Sequence, residues 1–167
     1  MITLDDLIEE VGTDMARFFF LTRSRDSHLD FDIELAKEKS EANPLFYLQY
    51  AHARICSLIA KGAESGLNYK DGGDLSLLKE EKELLLMKRL ADFPVEIQSS
   101  ATSREPHRLI TYLTELAGDF HTFYHDHRVV APEEPEISAA RLGLCTAVRT
   151  VLANGLRLLG VSAPESM

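Results

Sequence analysis

Tyr47, Tyr50 and Arg54 recur at helical spacing within Asn43-Pro-Leu-Phe-Tyr-Leu-Gln-Tyr-Ala-His-Ala-Arg-Ile55. Ring faces beside a guanidinium suit unpaired nucleobases, which offer a planar surface to stack on and polar edges to hydrogen-bond. At about 100° per residue, Leu45, Leu48, His52, Ile55, Cys56 and Ile59 fall on one side of the helix. Tyr47, Tyr50, Ala51 and Arg54 fall on nearly the opposite side. A second packing surface in a helical bundle would use the same residue types, with the Tyr hydroxyls satisfied and the Arg stem laid along the rings. On spacing alone, packing is the preferred reading.

His121, His125 and His127 form the next set that could do chemistry, because residues four apart share a helical face and can reach one metal ion. The glutamate of a zinc-hydrolase motif is missing between them, and no nearby Cys completes a ligand set. The three read as a solvated or RNA-facing group with no metal. The acidic pairs Asp5/Asp6, Glu9/Glu10 and Glu133/Glu134 sit at helix starts or in loops, where the helix dipole or solvation accounts for them. No Gly-rich phosphate loop, nucleophile motif, His-x-Gly-His or Lys-Met-Ser-Lys sequence is present. The chain by itself therefore shows no catalytic residues and no cofactor site.

The elements that must position these residues are helices. Thr3 caps a first helix carrying Leu4, Leu7, Ile8 and Val11, and Gly12 ends it. Asp14 opens a second through Ala16, Phe19, Phe20 and Leu21 to about Ser24. Residues 25 to 32 read as a loop, followed by a polar helical arm from Ile33 to about Ala42. Asn43 is an N-cap with Pro44 as the first helical residue. Gly62 to Gly73 reads as a linker. Beyond Asp74, Leu75, Leu77 and Leu78, then Leu84, Leu85, Leu86, Leu90 and Phe93, give a helical pattern that Pro94 should kink or divide. Pro106 starts a helix with the stripe Leu109, Leu113, Leu116, Phe120 and Phe123, and its edge carries Tyr124 and, beyond it, Arg128. A last helix runs from about Ile137 to Leu159 and stops at Gly160. No alternating strand pattern stands out, which predicts an all-α bundle.

At 167 residues the chain is long enough for one main domain with an attached arm. A hydrophobic content of 45% and a charged content of 27% are ordinary for a globular protein. No apolar run approaches membrane-spanning length and no leader pattern is seen, so the expectation is a cytoplasmic protein with no membrane partner. Cys56 and Cys145 lie in separate apolar helical patterns and read as buried free thiols. The net charge of −9 argues against generic nucleic-acid binding, DNA included, because nonspecific affinity comes from cations that displace counterions. Any nucleic-acid contact must be local and shape-specific.

Several blocks together resemble the carboxy-terminal part of class I arginyl-tRNA synthetases, with its helical anticodon-binding domain. They are Thr3-Leu-Asp-Asp-Leu-Ile-Glu-Glu-Val-Gly12, Ala16-Arg-Phe-Phe-Phe-Leu21, His28-Leu-Asp-Phe-Asp32, Tyr47-Leu-Gln-Tyr-Ala-His-Ala-Arg54, Pro106-His-Arg-Leu109, Phe120-His-Thr-Phe-Tyr124, Val151-Leu-Ala-Asn-Gly155 and Leu159-Gly-Val-Ser-Ala-Pro-Glu165. They run colinearly over nearly the whole chain. Asp14-Met-Ala-Arg17 occupies the place of the Asp-Ala-Leu-Arg signature, with its two middle residues changed.

The resemblance implies a helical stem over residues 1 to 42 and an anticodon-binding bundle over 43 to 167. It also implies that the chain starts just beyond the ATP-handling loop of a longer arginine–tRNA ligase, whose catalytic half uses ATP with Mg. The implied partners are tRNA(Arg) and that catalytic half. Tyr47 and Arg54 match positions lining the anticodon pocket, Tyr124 matches an aromatic position on the facing helix, and Met167 matches a terminal Met near the anticodon loop. Tyr50 and Arg128 join them as tRNA-binding candidates, and His52 is expected to be structural. Ser166 stands where the family commonly has Arg. All arginine codons have G in the middle, so a domain serving every isoacceptor should clamp the shared middle C of the anticodon and tolerate its neighbours. The competing reading is a free-standing helical protein-interaction module derived from the same scaffold.

Overall fold

In the computed structural model, residues 3–24, 26–67 and 73–167 are described, and among them there are helices and no strands. The helices are α1 (Leu4–Val11), α2 (Thr13–Leu21), α3 (Ile33–Lys37), α4 (Pro44–Glu64), α5 (Glu81–Ser103), α6 (Pro106–Asp126) and α7 (Pro135–Leu158), with a 3-10 turn at Leu75–Leu77. The all-α expectation is met. Helices α4 to α7 pack on one another as a bundle, and α1, α2 and α3 pack together, tied to it where Met15 meets Asn43 and Asp14 meets Ser162. One continuous core runs through both groups, from Phe18 and Phe19 through Leu45, Leu48 and Ile55 to Leu113, Phe120, Phe123, Leu142 and Leu152.

Local chemistry sets most helix starts. Thr3 accepts from the Asp6 amide while the Asp6 carboxylate takes the Thr3 amide, a reciprocal box that satisfies two orphan donors. Gly12 ends α1 at φ 86, a conformation open to glycine at little cost. Asn43 is fully buried, and its Oδ1 accepts from Leu45 and Phe46 at 3.1 and 3.2 Å.

Five expectations need correction. The polar arm is helical only to Lys37, because Glu38 turns extended and the Asn43 amide, buried at the start of α4, reaches back to the Ala36 and Glu38 carbonyls at 3.1 and 3.0 Å. Gly62 is no linker residue: it lies inside α4, where a Cβ would come within 2.6 Å of Leu142. The linker begins at Ser65, and residues 68–72 lie outside the described ones. Of the two outcomes expected at Pro94, a divided helix is not found: α5 runs through it with the prolyl ring on an exposed face, where water can take up the Leu90 carbonyl the ring leaves free. Leu84 and Leu85 are also exposed, so α5 buries only a narrow stripe around Leu86.

Ala51 was placed with the Tyr/Arg side, yet it is fully buried. Helix α4 packs on both α7 and α6, which leaves Ala51 covered and Tyr47, Tyr50 and Arg54 partly exposed. Glycine allows the close approach of α7 to α6. Gly155 on α7 lies where a Cβ would meet Leu113 at 2.5 Å, and Tyr47 lies across Gly118 of α6, its hydroxyl 3.7 Å from where a Cβ would be.

Candidate nucleic-acid interface

Between α4, α6 and the loop after α6 lies an open hollow of about 760 Å³, lined among others by Tyr50, Arg54, Lys61, His121, Tyr124 and Arg128. A smaller one of about 380 Å³ adjoins it, sharing Tyr50, Arg54, Lys61 and Tyr124 and adding Ser166 and Met167. The shared side chains form the ridge between the two. Its crest is Arg54: Nη1 donates to the Tyr50 hydroxyl at 2.7 Å, and Cζ sits 4.7 Å from the Tyr124 ring centre and 5.8 Å from that of Tyr50. The guanidinium thus bridges a ring on α4 and a ring on α6, with edge donors still free to meet an acceptor.

Behind the crest the rings continue as a ladder. Phe46 stacks on Tyr50, Tyr50 on His121, and Phe120 on Tyr124, with centroids 6.2, 6.2 and 5.9 Å apart. Tyr47 lines neither hollow. It lies deeper, half-buried, 5.2 Å from His121, and burial pushes its phenol pKa up. Four of the six candidates, Tyr50, Arg54, Tyr124 and Arg128, meet at the larger hollow. Met167 reaches the smaller one, and Tyr47 touches the lining through His121.

The three clustered histidines diverge. His121 has a buried Nε2 with no hydrogen-bond partner, and burial lowers its pKa, which keeps the ring neutral. His125 is exposed and pairs with Asp126 at 2.7 Å; that carboxyl, also bound by Lys82, is held at about 2. His127 donates to the Phe123 carbonyl at 3.0 Å and stacks on the Phe123 ring. Among the described residues no three His, Cys, Asp or Glu side chains converge as a metal site would require.

The remaining wall is the loop from Arg128 to Pro132, fixed by two residues of α7. Ser138 is buried and bonds both the amide and the carbonyl of Ala131, at 2.9 and 3.0 Å. Arg141 donates to the Arg128 carbonyl at 3.1 Å and to buried Glu83 at 2.8 Å. The Arg128 side chain is left pointing outward, paired with Glu133. In a chain of net charge −9, the larger hollow carries Arg54, Lys61 and Arg128 against the lining carboxylate Glu41 and the Glu133 that pairs with Arg128. That local excess of cations fits a polyanion. Sequence reasoning missed Lys61, Ser138 and Arg141. The last two carry no local signal, because their partners lie in other elements.

The profile of the DALR anticodon binding domain family matches residues 48–167, which hold both helices of the crest and the tail. The chain belongs to that family. The signature-like Asp14-Met-Ala-Arg17 lies before the matched stretch. Two relatives named arginine–tRNA ligase, from Carboxydothermus hydrogenoformans and Salinibacter ruber, are 56% and 53% identical over 99% of the chain. The chain spans 30% and 29% of their lengths. Among solved structures, the Thermus thermophilus arginyl-tRNA synthetase superposes with a TM-score of 0.76 at 30% identity, covering 95% of this chain and 27% of that one. No helix among the described residues is long and apolar enough to cross a membrane.

Proposed function

We propose that this member of the DALR family binds the anticodon loop of tRNA(Arg) as the RNA-reading part of a longer cytoplasmic arginine–tRNA ligase. Residues 1 to 42 are the stem toward the catalytic half, which uses ATP with Mg to activate arginine and pass it to the tRNA end; residues 43 to 167 read the RNA. The observation that carries this reading is the Arg54 guanidinium held between Tyr50 and Tyr124 on the ridge between two open hollows.

The loop bases splay apart over the ridge. One base stacks on the Tyr50 or Tyr124 face, each base–aromatic stack contributing about 1–3 kcal/mol, while Arg54 turns its free donors to a base edge or phosphate. Lys61 and Arg128 meet the backbone on either side, and Met167 closes the smaller hollow. The high identity to arginine–tRNA ligases supports arginine as the parent's amino acid. Titration of the chain with an anticodon stem–loop, followed by NMR, tests the placement. Resonances of Tyr50, Arg54, Tyr124 and Met167 shift together if it is right, and shifts confined to α5 or α1 refute it.

A further inference from the structure

The last eight residues leave α7 as an extended strap rather than a free end. Gly160 turns the chain at φ 72, and a Cβ there would lie 3.0 Å from Arg17 Cδ. Val161 is buried, Ala163 packs on the core, and Ser162 between them faces out. Helix α2 takes hold of that outward residue. Asp14 Oδ2 accepts from the Ser162 amide at 2.8 Å and from its hydroxyl at 2.5 Å, and Arg17 donates to the Gly160 carbonyl. Helix α4 adds Gln49, which donates to the Ser162 carbonyl at 3.0 Å, and His52, whose Nδ1 donates to the Pro164 carbonyl at 2.8 Å. Beyond these holds, Met167, 58% exposed, lines the smaller hollow together with Tyr50, Arg54 and Tyr124.

We propose that Asp14 and Arg17 are positioning residues for RNA recognition: they clamp the strap at Gly160 and Ser162 and thereby seat Met167 against the Tyr50–Arg54–Tyr124 ridge. This inference rests on the anticodon reading above. It gives the two charged residues of the signature a physical task, joining α2 to a tail about 150 residues later in the chain. A carboxylate accepting two hydrogen bonds adds a directional hold at exposed Ser162, between the apolar anchors Val161 and Ala163. Without it the strap beyond Gly160 keeps Gln49, His52 and the packing of Val161 and Ala163, with Arg17 still on the Gly160 carbonyl, and Met167 samples positions off the ridge.

The test uses the whole chain with methyl-labelled methionine. In the wild type the Met167 methyl signal is displaced by the ring currents of Tyr50 and Tyr124. Asp14→Ala moves it toward the position of a free methionine and weakens anticodon stem–loop binding about fivefold, the equivalent of one net hydrogen bond of ~1 kcal/mol. Asp14→Asn keeps an acceptor oxygen and restores most of both. Ser162→Pro removes the donated amide from the tail side without touching a helix, and reproduces the Asp14→Ala result even if that variant folds poorly. In a chain shortened by Ser166 and Met167, Asp14→Ala has no further effect on binding. An unmoved Met167 signal in Ser162→Pro, or an equal loss of binding in the shortened chain, overturns the inference. Wild-type protein that ignores the anticodon would overturn the anticodon reading instead, and the methyl signal still reports on the clamp.

Discussion

Replacing Arg54 by Met removes the guanidinium while keeping a long, flexible stem, and the structure sets what is lost. In the free protein these are one hydrogen bond to Tyr50 and two ring contacts, at 4.7 and 5.8 Å. At a half-exposed position the ring contacts contribute about 0.5–1 kcal/mol each and the hydrogen bond about 1 kcal/mol. Methionine recovers part of this by packing its sulfur on the same rings. The net cost to folding is therefore about 1–2 kcal/mol, readable as a lowered urea midpoint with the slope unchanged. The cost to RNA binding is larger, because a charged hydrogen bond to a base edge or phosphate contributes about 1.5–3 kcal/mol, or roughly ten- to a hundredfold in Kd.

Arg54→Lys separates charge from shape. A lysine restores the salt dependence of binding, since one cation still displaces a counterion, yet it cannot span the two rings or present a fork. It should recover less than half of the lost binding free energy. Fluorescence anisotropy with a labelled stem–loop at several salt concentrations gives all of these numbers. Folded Arg54→Met that binds within twofold of wild type refutes the role given to the guanidinium.

Glu83→Ala strands Arg141, whose side chain is only 14% exposed, and frees the loop wall at Arg128; it should cost about 3–5 kcal/mol by chemical denaturation, and a loss under 1 kcal/mol would contradict the pairing. Gly155→Val drives a branched side chain into fully buried Leu113 and should cost about 1–3 kcal/mol by overpacking, seen as a lower melting temperature. Burial pushes the Cys145 thiol from 9.0 up to about 12 and the Tyr112 hydroxyl from 10.0 up to about 12. Both groups stay protonated in the fold and lose their protons first in the unfolded chain, so their contribution is intact below pH 9 and is lost as pH rises from about 9 to 12. Urea midpoints at pH 8 and pH 10.5 should fall in that order, and equal midpoints would contradict it.

Helix starts were legible because a cap is a local event: Thr3, Asn43 and Pro106 each announce the helix that follows within a few residues. Ends decided by distant partners were not. The arm stops at Lys37 because its last carbonyls serve the Asn43 amide, and Gly62 serves inside α4 as a packing residue because Leu142 occupies the space a Cβ would need. The candidate site divides in the same way. Tyr50 and Arg54 are four residues apart on one helix, so their meeting follows from spacing, whereas Tyr124 came only through family resemblance. Neither spacing nor resemblance ranked Tyr50 above Tyr47, since which ring lines the hollow depends on how α4 packs on α6, where Tyr47 lies over Gly118. The grip of Asp14 on Ser162 joins residues 148 positions apart and leaves no periodic trace.

The most direct test of anticodon recognition is the affinity of the chain for two stem–loops that differ only in the middle anticodon base. Every arginine anticodon has C there, so the loop with C should bind at least tenfold more tightly at moderate salt than one with G or A in its place, and changes at the flanking positions should matter less. Equal binding of the C, G and A loops would contradict the account at its centre.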